Sequence, residues 1–472
     1  MDYGKDNMKI SKSKFICISI QISYLLFFSI FYCSYNTNDT VVNNYVNYLF
    51  PWIIFLLIID LCSFFLLKFS VFDFGMWFVI MSFFFMFGMI FTQKYNFSST
   101  LLWNPIVYYT NNLIFKSVCF AIFCISMFFL GYITLYNDKK RKVNKKKYDT
   151  KNYSLFYIGI VLFMIGFGSR IYTDVNIMRN TVLYNSYSAY SLSSSSGIID
   201  DLAVFFIPGI AFIIFSNVIE PRKCNFLILF VLVYFFITMS LTGSRKTQIF
   251  SILDLLLIYL SYKKEKINKK RLITVIVISF LALNLMITIR DNRFNIISVI
   301  PIYFENIFSG KLFSSLVGEV LTETGITLYS ITNIMKCVPD IFPYQYGMTF
   351  IKTLPSVLPI GWLIPNFFNS VSSTTCINKY LHIPVGSSLF GDFYWNFGFL
   401  GGIIVSFIFG ILICIILRKI DLSTQQGKAI YFSLFCFFIM LVRAEFFDIF
   451  RSIVYICLLY FFIDKLINTI RN

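Results

Sequence analysis

Histidine occurs once in this chain, at His382, and acidic side chains are scarce, with 23 Asp and Glu against 40 Lys and Arg. The eleven cysteines are scattered, mostly inside apolar runs, with no CxxC or Cys/His ligand spacing, so they read as packing residues and no metal centre is expected. Only Cys337 and Cys376 fall where a shared external loop would let them meet. There is no P-loop and no DxD motif of the kind that binds a nucleotide sugar. Charged residues make up only 13% of the chain, which excludes an ordinary soluble domain.

What fills the sequence is apolar: 58% hydrophobic and 20% aromatic residues, with a mean hydropathy of +0.75. No single soluble core hides that much. The apolar runs are about 20 residues long, too long for strands of a membrane barrel, so an all-α polytopic membrane protein is expected. We place twelve spans near 15–35, 48–68, 71–92, 113–136, 153–169, 199–217, 226–242, 247–262, 272–289, 395–417, 429–443 and 452–466. The basic start "MDYGKDNMKISKSKF" lacks a small-residue cleavage site after it and reads as the flank of a retained first span. Three regions follow: nine spans over 1–289, an external loop over 290–394 with interfacial helices, and three spans over 395–472.

The net charge of +17 is no nucleic-acid footprint, because much of it lies between apolar runs, in "NDKKRKVNKKKYDTKN" (137–152) and "KKEKINKKR" (263–271). By the positive-inside rule these loops are expected in the cytoplasm, with both termini. The same topology puts 26 of the 40 basic residues inside and 14 outside. Inside, five are arginine: Arg141, Arg222, Arg271, Arg418 and Arg471. Outside, seven are: Arg170, Arg179, Arg245, Arg290, Arg293, Arg443 and Arg451. Topology is served by either residue, so a bias to arginine on one face suggests guanidinium forks that hold phosphate or carboxylate, beside the ordinary role of capping a helix end.

The 290–394 loop carries Glu305, Glu319 and Glu323, the last two spaced to share a helix face. Pro343, Pro355, Pro359 and Pro365 then cut it into short pieces suited to interfacial or re-entrant helices. After it come Asp392 and a Tyr-Trp-Asn-Phe-Gly run, in which Tyr394 and Trp395 are candidates to stack on sugars. Gly398, Gly401 and Gly402 would let backbones approach closely. Asp254 stands mid-span and is expected to pair with a polar neighbour.

The ordered set "TGSRK" (242–246), "ETGITLYSI" (323–331), "PYQYGMTFIKTLPSVLP" (343–359) and "SSLFGDFYWNFGFLGG" (387–402) resembles the Wzy-type O-antigen polymerases. The likeness covers roughly residues 230–410, and the last block is its most specific part. It implies a GT-C-like architecture in the bacterial inner membrane. It also implies en bloc transfer of a glycan from undecaprenyl pyrophosphate onto a lipid-linked repeat unit at the periplasmic face. Membrane lipids and a chain-length regulator are the implied partners, with no cofactor. Charge building on the pyrophosphate leaving group would be met by Arg245, Arg290 and Arg293, with Arg443, Arg451 and Arg170 as further candidates. The acceptor hydroxyl needs a base, for which Asp392, Glu319, Glu323 and His382 are candidates. A flippase for lipid-linked repeat units, an O-antigen ligase and a capsule polymerase are the competing readings; unequal loop lengths in the two halves weigh against the transporter.

Overall fold

A computed structural model describes residues 11–97, 105–136, 151–183, 198–242, 246–263, 312–358, 363–382 and 386–471, with Pro301 and Glu305. Among them there are helices and turns and no strand. The helices that matter here are α1 (Lys12–Tyr35), α2 (Tyr45–Leu66), α3 (Phe74–Tyr95), α4 (Asn111–Leu135), α5 (Tyr153–Leu183), α6 (Ile198–Ala203), α7 (Phe206–Phe215), α8 (Pro221–Thr242) and α9 (Lys246–Lys263). Beyond the gap follow α10 (Leu312–Gly325), α11 (Leu328–Cys337), α12 (Leu389–Arg418), α13 (Gln425–Met440) and α14 (Phe446–Arg471). Eleven of the twelve expected spans coincide with described helices. The ninth, 272–289, lies outside the described residues. Among the described residues eight stretches are long and apolar enough to cross a membrane, α6 and α7 together making one of them. The chain is thus an all-α polytopic membrane protein.

The helices start where the sequence supplies caps. Asp73 accepts from the Gly75 N–H at 2.9 Å, Ser388 from Gly391 at 3.2 Å and Thr424 from Gly427 at 2.9 Å. Outward faces carry side chains such as Phe65 and Leu400, 81% and 75% exposed, as suits contact with lipid. The central helix is α4, whose Val118–Cys124 stretch is buried apart from slight exposure of Phe123.

Where water is absent, helices associate by close packing of small residues. On α4, a Cβ at Gly131 would strike the Phe407 carbonyl; on α12, one at Gly410 would strike the Phe128 carbonyl. The close backbone approach expected near Gly398 therefore occurs two turns and more further along α12. Gly398 has another task. Its φ of 68° and ψ of −164° break the helix, so residues 389–397 form a separate segment ahead of the span. Asp392 consequently stands in the first turn of a helix, three residues ahead of the expected start of the span and not in a loop.

The two ends of the bundle are distinguishable. One gathers the start of α1, the end of α4 and the end of α12: Lys14 Nζ donates to the Tyr136 carbonyl at 3.1 Å and Arg418 to the Leu135 carbonyl at 2.6 Å. The starts of α3 and α13 join it through Tyr431, which donates to the Phe72 carbonyl at 2.7 Å. The other end gathers the start of α12, the end of α13 and the start of α14; the Leu389 N–H donates to the Leu441 carbonyl at 3.1 Å.

Candidate active site

Three of the four sequence blocks singled out above meet at this second end. Asn396 ties two of them together: its Oδ1 accepts from the Gly347 N–H and the Thr349 hydroxyl, both at 3.0 Å, and its Nδ2 donates to the Asp392 carbonyl at 2.8 Å. The third joins through a contact of 3.0 Å between the Ser330 and Ser388 hydroxyls. The fourth, "TGSRK", lies largely outside the described residues.

Asp392 is buried at the centre. Its Oδ2 accepts from the Phe446 N–H at 2.6 Å, so it caps the start of α14 while sitting in the first turn of α12. Two helix N-termini thus favour its charge. Its Oδ1 is 3.1 Å from the Ser373 hydroxyl. The same hydroxyl lies 2.8 Å from Glu445 Oε2 and 2.6 Å from the Ser387 hydroxyl. Glu445 further accepts from the Ser372 hydroxyl at 2.6 Å and from the Thr374 N–H at 3.2 Å.

Ser373 owns one proton and faces two carboxylates. With both ionised it could donate to only one, leaving two oxygen lone pairs in contact at the other. The arrangement closes when one carboxyl carries a proton and donates it to Ser373. The environments of both agree: burial, and then Glu445, hold Asp392 well above the usual carboxylate range against the pull of the Phe446 N–H and Ser373, and burial, and then the neighbouring Asp448 carboxylate, push Glu445 up to about 7 against the pull of Ser372, Ser373 and Thr374.

Beside this pair opens a cavity of about 370 Å³, lined among others by Arg170, Asp200, Phe206, Ser251, Asp448 and Ser452. Asp448 is exposed to it from the first turn of α14. Around the same end, Arg170 pairs with Asp174 at 3.0 Å and Arg451 with Asp201 at 2.8 Å. Tyr234 also donates to Asp174, at 2.6 Å. Arg443 lies 5.6 Å from the centre of the Phe85 ring.

The expected site residues are placed as follows. Arg245, Arg290 and Arg293 lie outside the described residues. Glu319 is buried and Glu323 half-buried on α10, whose Gly325 sits against the Met89 backbone of α3 and whose Thr322 contacts Thr92 at 3.3 Å. His382 is exposed on left-handed backbone, φ 53°, and takes no part in holding Asp392. Trp395 is not free to stack on a sugar. It is 1% exposed within an apolar cluster of Ile334, Cys337, Val338 and Ile377. Asp254 lacks its expected partner: it is fully buried and neither carboxylate oxygen is hydrogen-bonded among the described residues. Cys337 and Cys376 are free thiols.

Glu445 and Asp448 were missed. Their signal is the run "RAEFFD" (443–448), which sets three charges in six residues between two apolar stretches. Attention to its arginine passed over the two acids beside it, though carboxylates at a span end usually mark a site.

Residues 15–470 match the family described as O-antigen polysaccharide polymerase Wzy. No curated protein and no solved structure matches. The match runs almost end to end, through the described motif blocks and through the "RAEFFD" turn that supplies the second carboxylate. The chain therefore belongs to the O-antigen polysaccharide polymerase Wzy family and joins O-antigen repeat units into polysaccharide.

Proposed function

We propose that the polymerisation is an en bloc glycosyl transfer at the periplasmic face of the bacterial inner membrane, with both termini of the chain in the cytoplasm. The donor is a glycan on undecaprenyl pyrophosphate; the acceptor is the non-reducing end of a new lipid-linked repeat unit. The observation that carries this reading is the Asp392–Ser373–Glu445 cluster set beside a cavity into which Asp448 is exposed. It stands at the end of the bundle opposite the one where Lys14 and Arg418 lie, as positive-inside orientation requires of an external site.

In this reading the acceptor hydroxyl attacks the anomeric carbon of the donor. A C–O bond forms to that carbon, the bond to the pyrophosphate oxygen breaks, and the lipid pyrophosphate leaves with the electron pair. The hydroxyl proton passes to Asp448, the carboxylate that faces the cavity. Asp392 and Glu445 act as positioning residues by fixing the start of α14, on which Asp448 rides. Arg245, Arg290 and Arg293 bind the leaving pyrophosphate as forks, since Arg170 and Arg451 already hold aspartates. Glu319, Glu323 and His382 stay as alternative bases. A separate chain-length regulator is the partner the family resemblance implies.

The test is complementation of a deletion strain, read on glycan gels. Asp448→Asn should leave single repeat units on the carrier lipid, with polymer reduced about 10²–10⁴-fold. Normal polymer from Asp448→Asn would remove Asp448 from the chemistry. Loss of all external repeat units in the deletion strain would point to the flippase instead.

A further inference from the structure

We infer that Ser373 is a further positioning residue for the polymerisation, and that its hydroxyl passes one shared proton between Asp392 and Glu445. The polymerase reading supplies only what α14 positions; the relay itself rests on the contacts. A hydroxyl has one proton and two lone pairs. Ser373 Oγ makes three buried contacts: Asp392 Oδ1 at 3.1 Å, Glu445 Oε2 at 2.8 Å and the Ser387 hydroxyl at 2.6 Å. With a single carboxyl proton, two arrangements satisfy all three, Ser387 donating in both. In one, Glu445 carries the proton and donates to Ser373, which donates to Asp392. In the other, Asp392 carries it and the two carboxyls exchange parts. The arrangements interconvert without a further reactant. The Glu445 O–H bond breaks, its proton joins Ser373 Oγ, and the proton Ser373 held moves to Asp392 Oδ1. One proton has then crossed, and the negative charge has gone the other way.

The two arrangements tighten different junctions. Asp392 Oδ2 accepts from the Phe446 N–H at 2.6 Å, whereas Glu445 accepts from the Ser372 hydroxyl at 2.6 Å and the Thr374 N–H at 3.2 Å. A hydrogen bond to an ionised carboxylate is much the stronger kind. With the proton on Glu445, the junction of α12 with the start of α14 is charge-assisted. With it on Asp392, the bonds from residues 372–374 to Glu445 are. Both junctions fix the start of α14, and Asp448 stands two residues past Phe446. Once the proton is lost, Ser373 can serve only one carboxylate and the other faces a lone pair, so that start loses its defined position. Residues 372–375 and 387–391 carry no charge. The charged groups on the elements around the pair are Arg443 and Asp448, near Glu445 in the chain, and Arg451 on α14, which holds Asp201 at 2.8 Å. Burial, and then Asp448, lift Glu445 to about 7, so the shared proton is lost near neutral pH.

The test sets Ser373→Thr, which keeps the hydroxyl, against Ser373→Val, which has nearly the same volume without it. Ser373→Ala removes the hydroxyl with no added bulk. Infrared difference spectra of the full-length chain in nanodiscs follow the carboxylic C=O band against pH. In wild type and Ser373→Thr the band should fade as pH rises through about 7. In Ser373→Val and Ser373→Ala it should fade about one pH unit lower, because the bridge that only the protonated pair completes is gone. With lipid-linked repeat units as substrate, both hydroxyl-free variants should lose about tenfold in kcat at unchanged KM. They should also lose the decline in rate that wild type and Ser373→Thr show above neutral pH. A band that fades at the same or a higher pH without the hydroxyl, or equal rates in Ser373→Val and Ser373→Thr, would overturn the inference. The spectra need no polymerisation: a hydroxyl-dependent band together with normal polymer from Asp448→Asn would keep the relay and sink the assignment of Asp448 as base.

Discussion

At one end of the bundle Lys14 and Arg418 meet carbonyl oxygens; at the other Arg170 and Arg451 meet carboxylates. Lys14 and Arg418 donate to the last carbonyls around α4, and Lys428 lies 5.8 Å from the Phe215 ring. The aspartates at that end serve turns: Asp73 accepts from Gly75 and Tyr132, and Asp421 from Ser423. At the opposite end Arg170 and Arg451 are held by aspartates, and Asp392, Glu445 and Asp448 crowd together. Capping a helix end is a task for any cation and tolerates exchange. A set of fixed ion pairs around a buried carboxyl pair holds a defined geometry, which is what a reaction centre needs.

The widest gap between the two ends should show on removing Asp392. Asp392→Ala leaves the Phe446 N–H without its acceptor, while Ser373 keeps Glu445 and Ser387 as partners. An orphaned donor to a carboxylate costs about 1–3 kcal/mol, so a loss toward the upper part of that range is expected, together with loss of polymer. Arg418→Ala at the other end should lose about 1 kcal/mol and keep activity. Thermal unfolding in nanodiscs measures both, and equal losses would erase the distinction.

The second contrast is with pH. Glu445 is raised from an ordinary 4.5 to about 7. The native state therefore holds a proton that the unfolded chain has released over this window. The stabilising contribution is complete below about pH 4.5 and is lost as pH rises through about 7, on the order of 3 kcal/mol in all. Burial and then Glu445 also raise Asp392 well above the usual carboxylate range. Wild-type unfolding temperature should therefore fall between pH 5 and pH 8, Glu445→Gln should reduce the slope, and Asp392→Asn combined with Glu445→Gln should leave it nearly flat. A slope left intact in the double variant would assign the titration to another group.

Much of this fold was legible because lipid leaves only one option: an apolar run of membrane length satisfies its backbone as helix. Spans such as α1, α4 and α8 follow directly. The site was half legible. Asp392 stood out through the block around it, and Asn396 proves to be what ties that block to "PYQYGMTFIKT". The partner carboxylate was not legible, because Glu445 lies 53 positions further on and meets Asp392 only through a serine from a third segment. Trp395 misled for a related reason: an aromatic beside an acidic residue suggests a sugar platform, and only tertiary packing shows its ring enclosed. Gly398 gave no hint that its left-handed backbone ends one helix and starts another.

A smaller effect separates arginine from lysine. Arg170 donates through Nε to Asp174, which also accepts from Tyr234, so the guanidinium plane is fixed beside the cavity. Arg170→Lys keeps the charge but not that geometry, and polymer yield should fall about tenfold, or about 1.4 kcal/mol. Arg418→Lys should leave yield unchanged, since an ammonium reaches a carbonyl as well as a guanidinium does. Equal tolerance at both positions would make Arg170 another end anchor.

The smallest effect should come from Lys14→Ala. Lys14 Nζ donates to the Tyr136 carbonyl, just past the end of α4, from the first turn of α1. The bond ties two helices at a rim where water can replace it, so its loss should cost about 0.3–1 kcal/mol. Polymer length and yield should not change, because nothing at that rim touches the cavity. Raising salt should reduce the difference between Lys14→Ala and wild type, whereas the buried Asp392–Ser373–Glu445 contacts should be nearly insensitive to it. A salt titration of the two unfolding curves reads this directly. If Lys14→Ala lowers polymer yield as well as stability, the two ends are coupled and the division between a capping end and a reacting end fails.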